Sequence, residues 1–302
     1  MPQVLVATRD GLRTFDDGGS PGPVHHGGRD VTAVAPDGRD VFAILDGAEV
    51  WREPAGADEW NRLGAVDGHR ATCIAVTDEV VVGSSEARLF RVVDGGGLEP
   101  IAAFDQAEGR SSWYTPWGGP PDTRSISEWG KDVYVNVHVG GILRTDDRGE
   151  TWTPTIDIDS DVHQVATAEG LVLAACAGGL AASPDRGATW TLRHQGLEAR
   201  YSRAVAVCGD AVLISASNGP RGGRAAVYRG GLEGGPFERC RNGLPEWFDD
   251  NVDTKCLDAL PDGSFAAFGT SDGRVFGSAD GGASWAELAS LLPPVRGVLV
   301  LG

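Results

Sequence analysis

The sequence has few lysines and no long apolar run, and both shortages exclude classes of function. Lys131 and Lys255 are the two lysines among 26 basic residues, and 43 acids give a formal net charge of −17. A surface of that sign repels nucleic acid and anionic membranes. No apolar stretch reaches membrane-spanning length, and the chain opens on a strand pattern without a basic or apolar leader. We therefore expect a cytoplasmic protein that binds neither nucleic acid nor membrane.

Motifs for metals, cofactors and common nucleophiles are also missing. The five cysteines have no CxxC spacing and are odd in number, so we expect reduced core residues. His25 and His26 are adjacent, but no carboxylate or cysteine stands at ligand spacing beside them. The sequence has no nucleophile elbow, HExxH motif or EF-hand loop, and its glycine-rich runs lack the strand-to-helix context of phosphate loops. The sequence therefore predicts no metal site and no cofactor.

The sequence is rich in glycine and repeats one octet three times. The octets are TDDRGETW (145–152), SPDRGATW (183–190) and SADGGASW (278–285). The first two begin 38 residues apart and the last two 95 apart, which leaves room for one unmarked repeat between them. This period is in the range of a four-stranded propeller blade. A segment that occurs three times indicates a structural repeat before it indicates an active site.

The sequence between the octets repeats one pattern of apolar strands and turns. This pattern predicts an all-β, seven-bladed propeller with four-stranded antiparallel blades. We expect a single domain, 1–302. The predicted blades are 1–28 with 295–302, 30–64, 70–104, 122–156, 161–194, 201–240 and 252–289, with insertions at 105–121 and 241–251. The carboxy-terminal strand would complete the first blade, which leaves no unpaired sheet edge at the seam of the ring.

The octets resemble the Asp-box, or BNR, repeat S-x-D-x-G-x-[ST]-W of sialidases, with Thr145 in place of the first serine. The wider sequence resembles BNR-like propellers described as sialidase-like or glycosyl-hydrolase-like, and more distantly photosystem II assembly-factor propellers. The resemblance implies that the octets lie on the outer rim, away from any active site. Acid excess with lysine poverty is typical of salt-loving organisms, and we expect a haloarchaeal origin.

The acid, the glycine and the tryptophan that all three octets share each have a structural role in a turn between two strands. The carboxylate accepts backbone N–H bonds, the glycine supplies a positive φ, and the tryptophan packs between sheets. The residues concerned are Asp147, Asp185 and Asp280, then Gly149, Gly187 and Gly282, and then Trp152, Trp190 and Trp285. We therefore expect the octets to stabilise the fold rather than to catalyse a reaction.

The candidate site gathers unusual residues that the blade pattern places on one face, at the mouth of the central channel. First strands begin near Arg124, near Asp161 and His163, near Arg203, and near Asp253 and Lys255; a second strand ends near Asn136 and His138. We expect Arg124, His163, Arg203 and Lys255 to bind a small anionic, carboxylate-bearing or sugar-like ligand. Trp113 and Trp117, in an insertion, would cover it. Alternatively, Asp161 and Asp253 neutralise these cations, and the residues only line a wet channel.

Three classes of function stay open at this point. The first is a ligand-binding or scaffolding propeller of the BNR type. The second is a glycoside hydrolase, either sialidase-like or using two carboxylates from Asp161, Asp249, Asp250 and Asp253, although the Y/F-R-I-P motif of sialidases is missing. The third is a platform that binds a protein partner. The sequence assigns no catalytic residue, so whether the protein is an enzyme stays open.

Overall fold

Seven four-stranded antiparallel sheets make up the protein, which is a seven-bladed β-propeller, as the sequence predicts. The computed structural model describes residues 1–57 and 59–302; Asp58, within the predicted second blade, lies outside them. Helix in the described part of the chain is confined to short 3-10 turns, and no helix there is long and apolar enough to cross a membrane. These turns are Ser85–Ala87, Phe104–Gln106, Arg110–Ser112 and Ile158–Ser160.

The first four blades contain the following strands. Blade 1 has β1 (Gln3–Thr8), β2 (Gly11–Asp16), β3 (Pro21–His25) and β28 (Val295–Leu301). Blade 2 has β4 (Val31–Asp37), β5 (Asp40–Leu45), β6 (Glu49–Glu53) and β7 (Asn61–Ala65). Blade 3 has β8 (Ala71–Val76), β9 (Val80–Ser84), β10 (Arg88–Val92) and β11 (Leu98–Pro100). Blade 4 has β12 (Thr123–Trp129), β13 (Asp132–Val137), β14 (Gly141–Thr145) and β15 (Thr153–Pro154).

The remaining strands form three further blades. Blade 5 has β16 (Val162–Ala168), β17 (Leu171–Cys176), β18 (Gly179–Ser183) and β19 (Thr191–Arg193). Blade 6 has β20 (Tyr201–Cys208), β21 (Ala211–Ser217), β22 (Ala226–Gly231) and β23 (Glu238–Arg239). Blade 7 has β24 (Leu257–Ala259), β25 (Ala266–Gly269), β26 (Val275–Ser278) and β27 (Ala286–Ala289).

Burial follows the position of each strand in its sheet. Every residue of β21, with the sequence AVLISAS, is buried, and so are the last five residues of β1 and of β5. These strands read as continuous apolar runs because both of their faces are covered. The last strand of a blade is short and largely exposed, as in β3 and β15. Such short, polar strands protect the sheet edge from pairing with another chain.

The carboxy-terminal strand belongs to the first blade, which confirms the prediction from the sequence. β28 pairs antiparallel with β1 from Gln3 opposite Leu301 to Thr8 opposite Val295. In the sheet order it takes the place that β4 or β8 takes in other blades. The side chains of Val298 and Val300 are buried. The strand therefore contributes both ladder hydrogen bonds and core.

Contacts divide the chain into two compact units, which we describe separately. Unit 1 comprises 1–31, 174–182 and 191–302, and unit 2 comprises 32–173 and 183–190. Each unit has an apolar core of its own. The prediction of a single domain stays a prediction.

Aromatic stacks fill the cores of both units. In unit 1, Phe268 packs against Phe276 with ring centroids 5.0 Å apart and against Trp285 at 4.9 Å. In unit 2, Phe104 meets Trp152 edge to face at 5.0 Å. The five cysteines are buried thiols that occupy the places of small core residues.

The octets form one hydrogen-bond pattern. In the second octet, Asp185 accepts the Thr189 N–H at 2.8 Å and the Thr189 hydroxyl at 2.7 Å. The Ser183 hydroxyl accepts the Gly187 N–H, and the Trp190 Nε1–H donates to the Gly187 carbonyl at 3.2 Å. The first and third octets repeat these bonds. The acid and the hydroxyl residues of each octet therefore hold their own turn.

Candidate functional site

Two histidines and one aspartate converge in unit 2. The Nε2 atom of His138 lies 3.5 Å from one Asp161 carboxylate oxygen, and Nε2 of His163 lies 3.6 Å from the other. The two imidazole rings are 5.9 Å apart. His163 is fully buried, His138 nearly so, and Asp161 is about one-third exposed. Asp161 therefore presents its carboxylate to both imidazoles while one side of the group stays open to solvent.

Strand ends and a tight turn position the three side chains. His138 directly follows β13, and its backbone N–H donates to the Asp122 carbonyl at 2.9 Å. His163 is the second residue of β16. Asp161 ends the 3-10 turn Ile158–Ser160 in a left-handed conformation, with φ at 48°. A non-glycine residue held there is uncommon, and such residues cluster at functional sites.

The electrostatics of the cluster favour an ionised Asp161. A long hydrogen bond from His138 is the largest cause that lowers the pKa of this carboxyl, and burial opposes it. The charges of His163 and Arg124 lower the pKa further. The structure thus brings together His138, Asp161 and His163, and the membership of Arg124 in the same site stays a prediction.

Trp117 displays an aromatic face beside this cluster. Its side chain is 70% exposed, and its ring centroid lies 5.1 Å from that of His138. The insertion that carries it is anchored by Phe104, which is fully buried, and by Arg110, whose guanidinium donates to the Ala87 carbonyl at 2.7 Å. Arg110 also stacks on Trp113 at 5.0 Å. Trp113 thus anchors the insertion, and Trp117 is the tryptophan that faces solvent.

Asn136 lies beneath the cluster and is fully buried. Its side-chain amide donates to the Val162 carbonyl at 3.1 Å and, more weakly, to the Gly141 carbonyl at 3.4 Å. The first of these bonds ties β13 to the strand that carries His163. The observed contacts of Asn136 are structural, and its predicted role in binding a ligand stays a prediction.

The remaining candidates belong to unit 1. Arg203 forms an ion pair with Asp253 at 2.8 Å, donates to the Pro220 carbonyl at 3.3 Å, and lies 5.5 Å from the Tyr201 ring. The Lys255 backbone carbonyl accepts the Val298 N–H of β28. Asp253 therefore neutralises Arg203, as the alternative interpretation of the sequence expects. A single cavity that combines residues of both units stays a prediction.

The sequence does not reveal the shared geometry of the histidine cluster. The possible ligand atoms of His138, Asp161 and His163 all lie within 4.8 Å of one another, a spacing that allows one metal ion to contact all three. One sequence signal could have indicated this cluster. His138 follows the second strand of one blade, and Asp161 and His163 form a D-x-H segment at the start of the next blade. Because the two parts are 23 residues apart, ligand spacing along the chain cannot show it.

A second charged cluster occurs in unit 1, around Glu198. Arg224, Arg239 and Arg241 lie 3.5, 3.5 and 3.1 Å from its carboxylate oxygens. The Trp247 ring lies between two of the guanidinium groups, 4.5 Å from that of Arg224 and 3.8 Å from that of Arg239. Three arginines around one acid form a basic patch on an otherwise acidic protein. The aromatic insertion 241–251 thus supports this patch.

A cavity of about 520 Å³ lies in unit 2 beside the first octet. Asp78, Glu79, Arg91, Glu128 and Trp152 contribute to its lining. Burial raises the pKa of Glu128, and the nearby charges of Asp78 and Asp37 add to this effect. None of the predicted site residues lines this cavity.

Comparisons with known proteins show similarity of fold. No family model and no curated protein matches the chain. An ancestral GH74 enzyme superposes with a TM-score of 0.62 at 14% identity, over 82% of this chain and 36% of that one. A GH74 xyloglucanase from Xanthomonas campestris has a TM-score of 0.61 at 16% identity, over 95% and 46%. YCF48 bound to a D1 peptide has a TM-score of 0.60 at 13% identity, over 99% and 95%. The chain therefore spans less than half of either GH74 enzyme and nearly all of YCF48.

Proposed function

We propose that the chain is a ligand-binding propeller of the BNR type, and that it binds a small anionic or sugar-like ligand in unit 2. The ligand would lie between Trp117 and the cluster of His138, Asp161 and His163. The exposed Trp117 ring beside His138, which itself adjoins Asp161 and His163, is the observation that carries this proposal. An aromatic side chain on an anchored loop offers a flat apolar area with a polar edge on which a ligand can stack.

The chemistry of these side chains favours a sugar that carries a carboxylate. The apolar face of a sugar ring stacks on an indole, as aromatic platforms offer flat apolar area with a polar edge. Arg124 and the histidines supply positive charge and hydrogen-bond donors for a carboxylate. Asp161 accepts hydrogen bonds from sugar hydroxyls through its solvent-exposed side.

Titration of the protein with acidic sugars tests the proposal. Binding of glucuronic acid and its oligosaccharides is compared with binding of the matching neutral glucose oligosaccharides, by calorimetry and tryptophan fluorescence. The acidic sugars should bind, and Trp117→Ala should weaken their binding by about 10-fold or more, since burying the apolar surface of one large side chain is worth about 1.5–3 kcal/mol. Trp129→Ala is the matched control, because Trp129 is 46% exposed in the same unit. Equal losses in both variants, or no binding of any sugar, would contradict the proposal.

A protein-binding function is the second candidate, and the arginine cluster around Glu198 favours it. Arg224 and Arg241 are more than half exposed and present positive charge. Arginine side chains beside an aromatic ring are common anchors in protein interfaces. The YCF48 structure bound to a peptide shows that a propeller with this fold can bind a protein segment.

An acidic peptide library tests this second function. Arg224→Gln combined with Arg241→Gln should abolish selection of acidic peptides. Arg148→Gln is the control, because Arg148 is exposed and lies outside the cluster. Selection that survives the double substitution would exclude the cluster as the binding surface.

A further inference from the structure

We infer that His138, Asp161 and His163 bind one divalent transition-metal ion of the Zn²⁺ type. This metal site rests on the proposed function only in its role, because the ion would lie beside the proposed sugar ligand and contact it. The metal-binding step itself involves only these three side chains and can be measured without any sugar.

The two nitrogen–oxygen distances in the cluster, which involve the two different oxygens of Asp161, are close to the edge length of a metal coordination sphere, and one possible ligand atom of each residue lies within 4.8 Å of the other two. Zinc bonds of roughly 2.0–2.1 Å in tetrahedral geometry place neighbouring ligand atoms about 3.3–3.4 Å apart. The two nitrogen–oxygen distances are 3.5 and 3.6 Å. Strong charge-assisted hydrogen bonds between such groups would be shorter, at roughly 2.7–2.9 Å. The side chains are thus held near one another at a separation that leaves room for an ion between them.

The donor set selects a class of metal. Two imidazole nitrogens and one carboxylate oxygen suit zinc and its first-row neighbours, whereas calcium and magnesium prefer oxygen ligands alone. Three protein ligands leave the fourth tetrahedral position open, as in zinc sites that bind a water or a substrate. A sugar hydroxyl or carboxylate would fill that position under Trp117.

The backbone holds the three ligands before any ion arrives. His163 lies on a buried strand, and the N–H of His138 is bonded to the Asp122 carbonyl. Asp161 follows a 3-10 turn that Asp157 caps, and this turn fixes the backbone position of the aspartate. Ligands on rigid elements lose little conformational entropy when they bind an ion.

Binding of Zn²⁺ to the metal-stripped protein, by equilibrium dialysis with elemental analysis, is the primary test. We expect one zinc per chain, a rise in Tm on addition of Zn²⁺, and a visible absorption spectrum of tetrahedral type with Co²⁺. Asp161→Asn and His138→Gln should each weaken zinc binding by on the order of 100-fold. His69→Ala should bind zinc normally, because His69 lies 3.9 Å from the Glu86 carboxylate but is not part of the three-ligand cluster.

Circular dichroism and Tm without metal show whether each variant folds. If Asp161→Asn does not fold, His138→Gln still tests the inference, because His138 lies outside the turn that ends at Asp161. Zinc binding with equal affinity in the wild type and in His138→Gln overturns the inference, as does the absence of stoichiometric binding to the wild type.

Trp117→Ala separates this inference from the proposed function. The variant should keep its zinc, since Trp117 is not a ligand, and should lose the sugar. Sugar binding by a wild type that takes up no zinc would overturn the metal inference and leave the proposed function standing. Zinc binding without any sugar binding would support the metal inference and count against the proposed function.

Discussion

The behaviour of each aspartate in this chain depends on the groups that its carboxylate faces. Hydrogen bonds from Thr151, the largest cause, lower the pKa of Asp147 to about 2 within the first octet. Burial raises the pKa of Asp258 to about 6, although the Val300 N–H donates to it and Lys255 lies near. Asp161 falls between these cases, because two histidines offset its partial burial. The same residue type therefore stabilises a turn, destabilises a strand contact, or forms part of a site.

Asp258→Asn should stabilise the protein at neutral pH. The folded-state pKa of about 6 lies above the unfolded value, so the contribution of this group to stability is full below about pH 4 and is lost as pH rises through 6. Asparagine keeps an acceptor for the Val300 N–H and cannot ionise. The variant should gain, relative to wild type, on the order of 2 kcal/mol between about pH 4 and pH 7. Urea unfolding at both pH values measures this, and a difference that does not change with pH would refute it.

Asp185→Ala should lower the stability of the second octet without affecting the site in unit 2. The substitution leaves the Thr189 N–H and hydroxyl without their acceptor. We expect Tm to fall by on the order of a few degrees, with zinc and sugar binding unchanged. Thr189→Ser is the control and should keep its Tm, because the third octet uses Ser284 in this position. Lost binding in a variant of normal Tm would instead give the octet a functional role.

At the scale of elements, the candidate site residues lie at strand ends and in loops, whereas the buried strands stabilise the fold. β13 and β16 are buried strands, and the site histidines lie at the ends that meet the loops. The insertion 105–121 adds Trp117 without altering the four-strand order of blade 4. Loops on a rigid sheet can change sequence at little cost to folding, which is why function concentrates there.

Deleting residues 295–302 should destabilise the protein strongly. The deletion removes β28, which leaves the hydrogen-bonding edge of β1 unpaired and uncovers the apolar contacts of Val298 and Val300. We expect aggregation or a large loss of Tm in thermal unfolding. A variant that replaces the segment with eight glycine and serine residues controls for chain length and should behave like the deletion. Unchanged thermal unfolding in either variant would show that β28 is dispensable.

At the scale of the whole molecule, one architecture serves different purposes. GH74 enzymes and YCF48 share the fold with this chain at 13–16% identity. A likeness at that distance shows the architecture and leaves the function to the site. The molecule also carries a formal charge of −17, which bears on its stability in salt but not on its fold.

Added KCl should raise the Tm of the protein. The excess of acids creates repulsion, and the Debye length falls from about 10 Å at 0.1 M to about 3 Å at 1 M salt. Folding brings these charges closer together, so screening stabilises the folded state more than the unfolded one. Thermal unfolding across this range measures the effect, with sorbitol of equal osmolality as the control. A Tm that is flat in KCl, or that rises equally in sorbitol, would refute the role of charge.

The sequence predicted the blades and the closing strand because their signals are local. An octet such as 183–190 contains its own hydrogen-bond donors and acceptors, and the segment 295–302 has the strand pattern that the first blade lacks. The outcome for the candidate site was mixed. His138, Asp161 and His163 lie together, Arg203 pairs with Asp253, and Trp113 packs against Arg110, while the predicted binding role of these residues and of Arg124 stays a prediction.

Strand periodicity, turn residues and repeat spacing thus determined the seven-bladed fold, because each depends on neighbours within about forty residues of chain. The tertiary structure alone decided which polar residues face one another. The sequence places Asp161 next to His163 at a strand start and His138 at a strand end, but only the tertiary structure brings the Asp161 carboxylate within 3.6 Å of both imidazoles. Side-chain direction and distance set coordination and ion pairing, and these depend on backbone angles that no local pattern specifies.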